Sequence, residues 1–207
     1  MNPPPSPPPL GEGDPEAVEG APAPPALRIR PATQADAEAL AAIYGHHVLH
    51  GFGTFEEAPP TAAQMDQRRR TVTDQGLPWL VAEDSGQVLG YAYATPFRPR
   101  AAYRYTVEDS VYVAPDAVGR GVGRAVLSAV LDACETLGLR QIMAVIGDSG
   151  NAASIGLHTA LGFEPAGVGA SVGFKHGRWV DIVWMRKALN GGDASLPQSP
   201  GLTLTGH

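Results

Sequence analysis

Among its 207 residues the chain has a single cysteine, Cys134. A lone thiol excludes an internal disulfide and any zinc site built on cysteines. Cys134 falls within an apolar helical pattern, where a buried, unreactive side chain is expected. Long hydrophobic runs are missing as well: no uninterrupted apolar stretch reaches the roughly 18 residues of a membrane-spanning helix. The start shows no basic region followed by an apolar run, so secretion is not indicated and a cytoplasmic location is expected. Positive charge is the scarcer sign, with 15 Lys and Arg against 21 Asp and Glu and a formal net charge of -6. That balance speaks against non-specific nucleic-acid binding and leaves room for a local basic patch facing an anionic cofactor. A small-molecule partner is expected.

Proline is plentiful, at 20 residues, but unevenly placed. Residues 1–26 (MNPPPSPPPLGEGDPEAVEGAPAPPA) mix it with Gly, Glu and Ala and offer almost nothing to bury, the composition of a disordered or polyproline-like tail. Residues 190–207 (NGGDASLPQSPGLTLTGH) lack a hydrophobic period and read as a second disordered tail. Residues 27–189 remain as one domain, for which an apolar content of 43% suffices to build a core.

Within that domain the periodicity is legible. Leu27–Arg30 alternates as a strand, and the sequence after it switches to helical spacing behind a capping box of Thr33 and Asp36. A second box, Thr61 with Gln64, opens a polar helix carrying Arg68, Arg69 and Arg70, a run read as a solvated face. Three strands follow, at residues 79–84, 87–97 and 105–113, with Ser85-Gly86 as the hairpin turn between the first two. The segment GVGRAVLSAVLDACETLG is helical and ends at Gly138. A short strand (141–146), a short helix (151–162) and two closing strands complete the set. The order predicts an α/β (α+β mixed) fold: a mostly antiparallel twisted sheet of about six to seven strands, flanked by about four helices.

Chemistry is concentrated where the strand ending VYVAP delivers the chain into Gly119-Arg120-Gly121-Val122-Gly123 at the mouth of a helix. Glycines there let backbone approach a ligand, and the unpaired N–H groups of a first helical turn suit a diphosphate. Arg120 and Arg124 flank the loop and are candidates for charge-assisted phosphate contacts. A Walker loop is excluded by the missing Gly-Lys-Ser/Thr, and the dinucleotide fingerprint by Arg124, which stands where Gly or Ala is required.

This loop resembles the GNAT superfamily of acetyltransferases, whose motif Gln/Arg-x-x-Gly-x-Gly/Ala follows the fourth strand. The glycines match, while Val118 departs at the polar first position. A closer resemblance is to the phosphinothricin and methionine sulfone or sulfoximine N-acetyltransferase branch. It rests on PWLVAE (78–83), TVEDSVYV (106–113), GNAASIGLHTALGF (150–163) and GFKHGRWVDIVWM (173–185), and spans residues 27–189. It implies a GNAT fold whose sheet splays at an acetyl-CoA site, with the backbone of Val111, Tyr112 and Val113 pairing with the pantetheine arm. Glu108 is then the expected general base, and alternation sets Asp109 on the opposite face of the strand. His158, where many relatives carry tyrosine, is expected to protonate the leaving sulfur or share the base role. Asn151 is expected to cap its helix and to bond the pantetheine amide. The acceptor side is assigned Phe55, Arg98, Tyr103 and, less directly, Arg104, the arginines suiting an amino-acid carboxylate.

Lys175 and His176 read as surface residues of the closing hairpin. His46, His47 and His50 cluster on the first helix without the further ligands a metal needs, and the reaction requires no metal. The expected partners are a small amine and a second copy of the chain in a homodimer. Two alternatives stay open: the same fold acting on an antibiotic, a polyamine or a protein N-terminus, and a non-catalytic acyl-CoA binder.

Overall fold

A computed structural model of the chain describes residues 27–204; the N-terminal tail expected at residues 1–26 lies outside them. Strands β1 (Arg28–Pro31), β2 (Trp79–Asp84), β3 (Gln87–Pro96), β4 (Thr106–Val113), β5 (Gln141–Gly147), β6 (Glu164–Lys175) and β7 (Arg178–Ala188) form one sheet in the order β1-β2-β3-β4-β5-β7-β6. Every neighbouring pair is antiparallel except β4 and β5, which run parallel. The four α-helices among the described residues are α1 (Ala37–His50), α2 (Ala62–Thr73), α3 (Val122–Thr136) and α4 (Ala152–Ala160). This is the mixed architecture that the order of elements predicts.

Local signals in the sequence fix the ends of these elements. Both capping boxes form, and Asp36 also takes a two-pronged bond from Arg30 at 2.8 Å on each oxygen, tying the start of α1 to β1. At the β2–β3 turn Ser85 and Gly86 have φ of 52° and 83°, the paired positive values of a tight hairpin turn matched to strand twist. Helix α3 buries Val122, Val126, Leu127, Val130, Leu131 and Cys134 along one stripe. Each large aliphatic side chain so buried contributes about 1.5–3 kcal/mol. Burial also pushes the Cys134 thiol up to about 12, so it is inert as expected.

Strand alternation sorts the helices onto the two faces of the sheet. Glu108, Ser110 and Tyr112 share a face with Tyr91, Tyr93 and Thr95 of β3, and α1 packs there through Tyr44, edge-on to Tyr112 at 4.9 Å. Val107, Asp109, Val111 and Val113 face the other way, toward α3 and α4. Gly90 lets α3 settle on that side, since a Cβ there would lie 2.8 Å from Val122.

The C-terminal segment corrects the sequence-based expectation. Residues 190–204 have no regular structure, yet they are fastened to the domain. Arg140 donates to the carbonyls of Gly192 and Ser195, Tyr105 donates to that of Ser199, and Leu202 packs against the core. Isolated anchors of this kind leave no period for a sequence pattern to reveal.

Candidate active site

Strands β4 and β5 pair only as far as Asp109 opposite Ala144, although β4 continues to Val113 and β5 to Gly147. Beyond that point they part, and a cavity of about 350 Å³ opens in the gap. It passes through the sheet: His47, Gly53 and Ser110 line it on the α1 face, and Asp109, Leu157 and His158 on the α4 face. Val111, Tyr112 and Val113 line it with β4 backbone that no longer has a β5 partner. His47 donates from Nε2 to the Val113 carbonyl at 2.9 Å, and burial lowers its pKa. This histidine therefore supports β4; no group of side chains suited to a metal occurs among the described residues.

The glycine loop closes one end. Gly119 and Gly121 have φ of 82° and 78° with open space where a Cβ would stand, so they are needed for conformation rather than for room. Gly123 is the reverse case, since its Cβ would meet Leu157 and Val113 at 3.3 Å each. The amide of Ala125 returns to Gly121 at 3.0 Å, leaving those of Val122, Gly123 and Arg124 for a ligand. Arg124 lines the cavity. Arg120 is not among the lining residues: its guanidinium reaches back 3.1 Å to Asp84 at the β2–β3 turn. Asn151 caps α4 by accepting from the Ser154 amide at 3.1 Å, and its amide donates to Gly147 at 3.0 Å, so the residue fixes α4 against the end of β5.

His158 lies between two polar partners. Its Nδ1 lies 2.8 Å from the Ser154 carbonyl and its Nε2 3.0 Å from Asp109 Oδ2. The carbonyl fixes Nδ1 as a donor and leaves Nε2 facing the Asp109 carboxyl. Burial alone would lower its pKa; the hydrogen bond and charge of Asp109, with the Ser154 carbonyl, outweigh burial and hold it above the ordinary value. Both nitrogens are thus engaged, with His158 at the cavity wall. Asp109, unassigned in the sequence reading, is thus the residue that defines His158. Its other oxygen, Oδ1, is buried without a partner at the cavity wall.

Glu108 stands on the opposite face of β4, half-buried. Burial raises its pKa, the Arg98 guanidinium 3.9 Å away lowers it, and the Asp109 charge raises it, with a net upward shift. Arg98 is exposed and lies over the Phe97 ring at 4.2 Å, and Tyr103 meets the same ring edge-on at 5.7 Å, so these two join Glu108 in one corner. Arg104 does not join them: it lies over Tyr105, donates to the Ala101 carbonyl and borders the C-terminal segment. Phe55 sits across the gap, on a loop (residues 51–57) packed against Gly147 and Gly173. The arginines of α2 are paired rather than simply solvated. Arg68 forks onto Glu56 at 2.8 and 3.0 Å, while Arg69 and Arg70 share the buried Asp66.

Parted parallel strands, a glycine loop at a helix N-terminus and unspent amides facing the gap define an acyl-CoA-type transferase fold. Accordingly, residues 41–163 match the Acetyltransferase (GNAT) family, and the chain belongs to it. Within that family its relatives are specific. It is 55% identical over 173 residues to a phosphinothricin N-acetyltransferase of Alcaligenes faecalis, covering 84% of this chain and 88% of that protein. It is 43% identical over 163 residues to an L-methionine sulfoximine/L-methionine sulfone acetyltransferase of Pseudomonas aeruginosa, covering 78% and 94%. A crystal structure of a phosphinothricin acetyltransferase from Sinorhizobium meliloti in complex with acetyl-CoA superposes with a TM-score of 0.81 at 46% identity, over 84% of this chain and 95% of that one.

Proposed function

We propose that the chain is an acetyl-CoA-dependent N-acetyltransferase acting on the amino group of a small amino-acid-like acceptor of the phosphinothricin, methionine sulfone or methionine sulfoximine type. The observation that carries this reading is the cavity through the β4–β5 gap, with unspent amides at one end and Glu108 beside the other. The residues present fit acetyl-CoA. The amides of Val122 to Arg124 and the Arg124 guanidinium suit a diphosphate, and the backbone of residues 111–113 suits an extended amide-bearing arm.

Acetyl transfer forms an N–C bond, breaks the C–S bond of the thioester and releases CoA thiolate, and the attacking amine must be neutral. An amino acid's ammonium is almost fully protonated near pH 7, so a base is required. Glu108 takes that role, directly or through a water: its raised pKa strengthens it as a proton acceptor, and among the described residues its nearest cation, Arg98, stays at 3.9 Å, beyond hydrogen-bonding distance. Arg98, in the same corner, is assigned to the acceptor's carboxylate, with Phe55 and Tyr103 as apolar walls. The Asp109–His158 pair holds α4 to β4 and keeps the gap at fixed width. No helix among the described residues is long and apolar enough to cross a membrane; we place the enzyme in the cytoplasm, acting as a homodimer with a folded unit that begins near residue 27.

The test is a CoA-release assay with acetyl-CoA and methionine sulfone, methionine sulfoximine, phosphinothricin, ordinary amino acids and polyamines. Turnover confined to the first three supports the proposal. Turnover of polyamines alone discards the acceptor class, and acetyl-CoA binding with no turnover of any acceptor removes the catalytic reading.

A further inference from the structure

Lys175, expected on the surface, is 1% exposed and is one of the largest fully buried side chains in the described structure. It ends β6 at a two-residue turn in which His176 and Gly177 have φ of 47° and 78°. Its Nζ donates to the carbonyl of Gly51 at 2.9 Å and to that of Thr54 at 2.7 Å. Burying an ammonium is costly unless its protons are matched, and an apolar side chain of similar length would fill the same space. What the lysine supplies is therefore the two tethers, and both fall on one loop.

Phe55 follows the second tethered carbonyl directly. Its ring occupies a gap left by glycines on two strands: a Cβ at Gly173 would lie 2.3 Å from Phe55 Cε2, and one at Gly147 would lie 3.1 Å from Cε1. Gly173 and Lys175 are two residues apart and so share a face of β6. One strand end thus supplies both the seat for the ring and the tether for its backbone. The neighbouring loop residues are held as well. Thr54 Oγ1 bonds the Tyr44 hydroxyl at 2.7 Å, and the Arg178 guanidinium lies over the Phe52 ring at 3.8 Å. Gly53, between them, lines the cavity.

We propose that Lys175 is a positioning residue which, by tethering the Gly51 and Thr54 carbonyls, fixes the 51–57 loop and the Phe55 ring at the acceptor site and so sets acceptor affinity without touching either substrate. The link to affinity rests on the reading that Phe55 faces the acceptor; the tether itself does not. Lys175→Met keeps the stem and removes the donors. In this variant the amides of residues 52–57 exchange with deuterium about tenfold faster or more, the KM for the acceptor rises about tenfold or more, and kcat and the acetyl-CoA Kd stay close to wild type. Unchanged exchange at 52–57 overturns the tether, and faster exchange with unchanged acceptor KM overturns its link to affinity. If Lys175→Met does not fold, Gly173→Ala decides, because it displaces the same ring and leaves the lysine in place; an unchanged acceptor KM there refutes the proposal. If the wild-type chain turns over none of the acceptors, the functional reading fails on its own, and the exchange rates with the acetyl-CoA Kd still decide the tether.

Discussion

Two adjacent acids on β4 have been driven to opposite uses by nothing more than strand alternation. Glu108 points to the face where burial raises its pKa against the opposing pull of Arg98. In its proposed role as base Glu108 is active above its pKa, so kcat/KM is expected to rise with pH through a value above the ordinary carboxylate value. Removing the guanidinium in Arg98→Ala takes away the lowering influence and moves that limb to higher pH. Glu108→Gln removes the proposed proton acceptor, and kcat is expected to fall by about 10²–10⁴-fold with acetyl-CoA affinity retained; steady-state assays across pH check both. Asp109 points the other way, into a buried pair with His158 at 3.0 Å. Truncating one partner of such a pair costs about 3–5 kcal/mol, so Asp109→Ala shows a loss of that size in urea unfolding near pH 6. Because the folded pKa of His158 is raised, the pair's contribution is present in full below the ordinary histidine value and is lost as pH rises through the folded one. The gap between wild type and variant therefore narrows in alkaline buffer.

At the scale of elements, what was legible in the sequence is what is local. Capping boxes at Thr33 and Thr61, the Ser85-Gly86 turn and the α3 stripe depend on residues within a few positions of one another, and each forms where the pattern puts it. The glycine turn at the start of α3 and the opposition of Asp109 to Glu108 across β4 were legible for the same reason. Long-range partners were not. Nothing near His158 in sequence announces Asp109, 49 residues earlier, and nothing near Lys175 announces the Gly51 and Thr54 carbonyls, more than 120 residues away. The contact of Arg120 with Asp84, 36 residues earlier on the β2–β3 hairpin, is likewise invisible in the glycine-rich stretch around Arg120. The C-terminal segment failed the same test. Truncation after Leu189 removes Asn190, which donates to the Glu135 and Leu139 carbonyls at the end of α3, together with the carbonyls that Arg140 and Tyr105 engage. With each net hydrogen bond contributing about 1 kcal/mol, the truncated chain loses about 2–4 kcal/mol, read as a lower urea midpoint at unchanged slope.

Among the described residues, several exposed apolar side chains gather at the β6–β7 hairpin. Strand β6 is one edge of the sheet, opposite β1, and Val168, Val172 and Phe174 on it and Trp179 on β7 are 61%, 52%, 58% and 62% exposed. Phe174 and Trp179 are cross-strand partners with ring centroids 5.4 Å apart. Edge strands are normally blunted by charge, and contiguous apolar exposure marks an association surface; a second copy of this chain is the occupant that the homodimer reading assigns to it. Alternation adds a consequence for catalysis, since Phe174 points outward between Gly173 and Lys175, which point in toward the Phe55 loop. A subunit packed on Phe174 and Trp179 braces the same hairpin that seats and tethers that loop. Light scattering is expected to give a dimer for the wild type and a monomer for Phe174→Asp combined with Trp179→Asp. In that monomer the acceptor KM rises while the acetyl-CoA Kd stays close to wild type, because Gly53 alone of the cavity's lining lies on the loop that the edge hairpin holds. A wild-type monomer at assay concentration refutes the dimer, and a monomeric variant with wild-type acceptor KM separates association from the acceptor site.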